Sequence, residues 1–117
     1  MKFSQEEIEA RLNAIRQDYL CSLQEKRDAI MANRAALQRN WDNDVYHALY
    51  LIVHSLAGSA ETFGLVELTR TARSLVNAFK QYGDEHALPA EAFARCSNEL
   101  DQLLSCLDAC LRMNPAK

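Results

Sequence analysis

The sequence predicts an all-α protein, an antiparallel four-helix bundle whose N-terminal helix is extended or bent. Three observations predict it. Apolar residues recur three and four positions apart through almost the whole chain. Only three glycines and two prolines interrupt 117 residues. The polar turn Asn40 to Asp44, Gly64, and Gly83 with Pro89 fall where one periodic stretch gives way to the next, so four stretches are joined by short connections. At this length the chain forms a single domain, 1–117, with one core and no room for a kinase carrying its own nucleotide site.

The first helix is predicted over about 5–39. Ser4-Gln5-Glu6-Glu7 is a capping box, in which Ser and Glu exchange hydrogen bonds with each other's backbone amides. Ile8, Leu12, Ile15, Tyr19, Leu23, Ile30 and Leu37 follow at helical spacing. Such a helix is roughly 50 Å long at 1.5 Å per residue, more than the later helices can cover. Its N-terminal part overhangs, bends back near Tyr19 to Ser22, or packs on a second copy or a neighbouring domain. The expectation is a monomer, with dimerisation through this helix as the alternative.

Asn40 to Asp44 supplies a turn and an N-cap, and the second helix runs over about 43–63. Gly64 is its left-handed stop, and with almost no loop the third helix, about 65–82, folds straight back. Leu65, Leu68, Ala72, Leu75, Val76 and Phe79 form its stripe, and Gly83 ends it. After a polar connector, Pro89 opens a fourth helix predicted over about 89–113, with Phe93, Cys96, Leu100, Leu103, Leu107 and Leu111 inward.

The net charge of −3 and the lack of a basic cluster argue against nucleic acid or an anionic membrane as main partner. No window approaches the roughly 18 apolar residues of a membrane span, and the N-terminus lacks the apolar core of a signal peptide, so a cytoplasmic protein is expected.

The chemistry centres on His54. Successive side chains turn by about 100° in a helix, which gathers Val45, Leu49, Ile52, Leu56, Ser59 and Phe63 on one side and sets His54 roughly opposite. An imidazole facing water is substantially neutral and nucleophilic at neutral pH. Its neighbours on that face include Tyr50, Leu51, Ala57, Gly58 and Glu61, a candidate docking patch. Gly58 costs roughly 1 kcal/mol relative to Ala inside a helix, which suggests that another macromolecule approaches closely there. A convex helix face supplies no pocket for general-base work. Attack of an imidazole nitrogen on an activated phosphoryl group fits better.

His54, Gly58, Ser59, Gly64, Leu68 and Leu75 resemble the motif of histidine phosphotransfer (HPt) domains of bacterial multistep phosphorelays: His-x-x-Lys-Gly, then Gly, then Leu and Leu-Glu. The run HSLAGSAETFG is also similar to HPt domains found next to receiver or diguanylate cyclase domains. The resemblance covers roughly Tyr19 to Phe79. It implies a phosphoryl carrier, not an enzyme, with His54 as phosphoacceptor. Its partners would be a response-regulator receiver domain and a hybrid sensor kinase. It implies no cofactor of its own, the Mg²⁺ belonging to the partner receiver. Ala57 stands where most HPt domains carry Lys, and Val76 where Glu or Gln is common. Arg70 and Arg73 are candidates to orient the phosphoryl group in place of the missing lysine. The alternative reading is a helical bundle that docks a receiver domain, or dimerises, without carrying phosphate.

Other chemistry-bearing residues read as structural. Cys21, Cys96, Cys106 and Cys110 show no CxxC spacing and are expected as thiols, three of them along the core of the fourth helix. His47, His54 and Glu61 are seven apart, too far along one helix to share a metal, and His86 is expected to be a solvated loop residue.

Overall fold

The computed structural model describes residues 3–112, in which helices follow one another without a strand. Helix α1 spans Gln5–Arg39 and begins with the predicted capping box: the Glu7 amide donates to Ser4 Oγ at 3.1 Å and the Ser4 amide to Glu7 Oε1 at 3.3 Å. It is one unbroken helix that overhangs the bundle rather than bending back. Leu23, Ile30 and Leu37 are buried at seven-residue spacing, whereas Ile8, Leu12 and Ile15 are exposed. The resulting long axis is 56 Å against 24 and 21 Å across.

Helix α2 (Asn43–Thr62) starts at Asp42, whose carboxylate accepts the Asp44 amide at 2.8 Å. It stops where Gly64 takes φ +72°, a left-handed conformation open to glycine at little cost. The amides of Gly64 and Leu65 then return to the carbonyls of Glu61 and Ala60. Helix α3 (Val66–Tyr82) leaves at once in the opposite direction. At its far end Gly83 is needed for a different reason: a Cβ there would collide with the Ala87 carbonyl oxygen. The connector after it is pinned to the start of α2. Tyr46 donates to the Asp84 carbonyl at 2.6 Å, and the Leu88 amide donates to Asn43 at 3.3 Å. Asp84 in turn accepts the amides of His86 and Ala87, which holds its carboxyl below the usual range.

The predicted fourth helix is two. Helix α4 (Ala90–Arg95) ends at Cys96, and helix α5 runs over Ser97–Arg112. The break has a local cause. The Cys96 amide bonds the Phe93 carbonyl one residue short of helical register, and Ser97 Oγ takes the Ala94 carbonyl at 2.8 Å, competing with the backbone ladder. Pro89 precedes α4 as its N-cap rather than opening it. Met113, the predicted last residue of that helix, lies outside the described residues.

The four long helices form a closed ring of neighbours, α1 on α2, α2 on α3, α3 on α5 and α5 on α1. Tyr46, Leu49, Val53, Leu56, Leu68, Leu75, Phe79, Leu100, Leu103 and Leu107 fill the centre. Each such aliphatic or aromatic side chain contributes about 1.5–3 kcal/mol on burial. Ion pairs Arg27–Asp108 and Arg34–Asp101 fix α5 antiparallel to α1. Cys96 is buried, Cys106 and Cys110 half-buried and Cys21 exposed, all as free thiols. Desolvation pushes Cys96 and Cys110 up to about 11.

Candidate functional site

Helix α2 packs on two neighbours, so its buried face is wider than one stripe. Leu49, Val53, Leu56 and Ala60 are enclosed, and Tyr46, Tyr50 and Ala57 are covered on the α3 side. His54 remains on the arc that neither neighbour covers and is exposed. Its ring lies nearly parallel to that of Tyr50, centroids 6.0 Å apart. Tyr50 is itself locked edge-on against Tyr46 and packed on Phe79. A rigid aromatic wall therefore backs one side of the imidazole.

This corrects two members of the expected docking patch. Tyr50 is 4% and Ala57 7% exposed, because α3 covers the flank of α2 that the single-stripe reading left in solvent. Gly58, Glu61 and Leu51 are exposed as expected. Leu51, 47% exposed, borders a hollow against α1 formed with Glu25, Lys26 and Ala29, so it is not part of the depression beside His54.

Gly58 faces open space. Among the described residues, a Cβ built on it meets no atom within 4 Å beyond the helix's own adjoining backbone. No intramolecular close approach accounts for a glycine at this point of a helix, where Ala would be better by roughly 1 kcal/mol. The bare backbone lies one turn from His54, on the same shallow depression of about 370 Å³ lined by His54, Ala57, Gly58, Arg73, Val76, Asn77 and Lys80.

The register of α2 against α3 explains that lining. Glu61 pairs with Arg73 at 2.5 Å across the two helices. Because they are antiparallel, two turns back along α2 and two turns on along α3 bring His54 level with Lys80. Lys80 thus stands on the opposite bank from the imidazole, with Asn77 and Arg73 further along the same bank. Arg73 is partly committed to Glu61. Arg70 is not brought to His54: it bonds Glu67 on its own helix at 2.8 Å and lines a neighbouring hollow nearer Gly64. That pairing lowers the Glu67 carboxyl through the hydrogen bond and charge of Arg70. Lys80 and Asn77 carried no signal in the sequence, since only the inter-helix register shows which α3 residues face His54.

The other histidines are placed differently. His47 is tied through Nδ1 to the Glu85 carbonyl at 2.7 Å, and its ring stacks on that of the exposed His86 at 4.7 Å. Among the described residues, no group of three or more His, Cys, Asp or Glu side chains is placed to hold a metal ion. No helix among them is long and apolar enough to cross a membrane.

Four long helices packed in a ring leave one imidazole exposed on an uncovered arc, one turn from the bare backbone of Gly58. The model of the Hpt domain family matches residues 4–106, and the chain belongs to that family. Hpt domains act in histidine phosphotransfer within phosphorelays, as phosphocarriers that interact with receiver domains. No curated protein and no solved structure matches the chain.

Proposed function

We propose that His54 is the phosphoacceptor of this chain, and that it takes a phosphoryl group from a receiver-domain aspartyl phosphate and passes it to another receiver aspartate. The observation that carries this reading is the pairing of an exposed imidazole with a helix glycine that no contact among the described residues requires. A receiver surface can settle onto Gly58 and bring its phosphorylated carboxylate within reach of His54.

In the transfer a neutral imidazole nitrogen attacks phosphorus with its lone pair. The P–O bond to the aspartate breaks and the carboxylate leaves with that electron pair, giving a phosphoramidate on His54. The reverse attack by a second aspartate regenerates the imidazole. This chain supplies the positioned nucleophile, the Tyr50 wall that limits ring motion, and cations for the phosphoryl oxygens. Lys80 is the cation best placed for this, with Arg73 second once it exchanges Glu61 for the phosphoryl group. Charge on the aspartate side is met by the receiver, whose Mg²⁺ the family resemblance implies.

The test is two-way transfer. A phosphorylated receiver should label the chain with an acid-labile, base-stable group, and the purified labelled chain should return label to an unphosphorylated receiver. Docking of every cognate receiver without label would support instead a module that binds receivers and carries no phosphate, the reading that Ala57 in place of Lys favours.

A further inference from the structure

The first four turns of α1 carry an apolar stripe that the described chain leaves open. Ile8, Leu12 and Ile15 are 41, 59 and 54% exposed, and they step by four and three residues toward Tyr19. That is the spacing of core positions in a coiled coil. With Ile8 and Ile15 as d, and Leu12 and Tyr19 as a, the flanking e positions are Glu9 and Arg16 and the g positions are Arg11 and Asp18.

In an antiparallel pair of helices e faces e and g faces g. Two copies related by a two-fold axis between Asn13 and Ala14 set Leu12 against Ile15 and Ile8 against Tyr19, each twice. On the flanks of that seam Glu9 comes beside Arg16 and Arg11 beside Asp18, each offset from level by two residues and each occurring twice, so all four flanking contacts join opposite charges. Parallel pairing would put Arg11 beside Arg16 of the second copy. None of these four residues forms an ion pair within the chain among the described residues. Glu9 accepts the Gln5 amide and Arg11 lies over the Phe3 ring.

We propose that the chain self-associates as a two-fold antiparallel dimer through Gln5–Asp18 of α1. Among the described residues, the bundle leaves room for this partner. The Arg27–Asp108 and Arg34–Asp101 pairs put Arg112, the last described residue of α5, about level with Leu23 on α1. By the two-fold pairing, Gln5 of the second copy begins level with Ser22, so its helix continues antiparallel to α1 in line with the described part of α5. Ile8 of the second copy then meets Tyr19 at a hollow of about 440 Å³, walled by Leu20, Phe63, Leu65 and Cys110. Arg16 stands at the rim of that hollow to receive Glu9 of the second copy.

Sedimentation equilibrium of the full chain tests this. The mass should rise from 13.3 kDa toward twice that value as concentration rises from about 2 to 500 μM. Leu12→Asp should remain monomeric with an unchanged thermal midpoint of the bundle. Arg16→Glu should weaken association at least tenfold, and Glu9→Arg with Arg16→Glu should restore it. A wild-type mass that stays at the monomer value, a dimer that survives Leu12→Asp, or a double reversal no tighter than the single one would each overturn the proposal.

Discussion

Replacing Lys80 by Ala removes the cation that stands level with His54 while leaving the exposed surface otherwise intact. Two unit charges about 4 Å apart interact by about 1 kcal/mol in water and about 4 kcal/mol at an effective dielectric constant near 20. The depression is open, so with a small phosphodonor the lower figure applies, which corresponds to labelling of His54 slowed about fivefold. A docked receiver excludes water from the depression, and there the loss should exceed tenfold. The assay compares initial rates of labelling from both donors for the wild type, Lys80→Ala and Lys80→Arg. The arginine variant should keep most of the rate. Ala57→Lys introduced into Lys80→Ala should recover it, because position 57 lines the same depression and a lysine stem can lie along its floor with the ammonium in water. Equal rates for wild type and Lys80→Ala, with His54 still labelled, would refute the role given to Lys80 and leave that of His54 standing.

Two further outcomes follow from the geometry. Gly58→Leu should raise stability slightly, by up to about 1 kcal/mol in denaturant melts, since it replaces a helix glycine whose added Cβ meets nothing among the described residues. It should nonetheless block transfer from a receiver while sparing labelling by a small phosphodonor, and unimpaired transfer would contradict close approach over Gly58. Alkaline stability should report the two desolvated thiols. Their folded values of about 11 lie above the ordinary 9.0, so the unfolded chain loses these protons first. The stability they contribute is whole below about pH 9 and declines as pH rises through 11. Cys96→Ala with Cys110→Ala should flatten that decline, and an unchanged slope would show that other groups cause it.

Much of the fold is legible in the residues. Ser4 with Glu7, Asp42, Gly64 and Gly83 mark helix ends by mechanisms that act within a few residues, and each acts where the sequence places it. The azimuth of His54 is legible for the same reason, since it depends only on helical periodicity. What depends on neighbouring helices is not. Tyr50 and Ala57 look solvent-facing until α3 is seen to cover their flank. The break at Cys96 arises from a hydrogen-bond shift among residues that would otherwise continue a helix. Arg70 and Arg73 are one turn apart in the sequence, yet the register fixed by Glu61 brings only Arg73 to the depression and adds Lys80 to it.

The chain holds three histidines, of which His54 is the proposed carrier of phosphate. His47 and His86 stack on each other beside the start of α2, whereas His54 stands alone on the open arc. Labelling from a phosphorylated receiver, compared across His54→Gln and the double variant His47→Gln with His86→Gln, decides between them most directly. No label is expected on His54→Gln, whose thermal midpoint should stay intact, and full label is expected on the double variant. Label that persists on His54→Gln, or that vanishes from a folded double variant, would contradict phosphoryl transfer through His54.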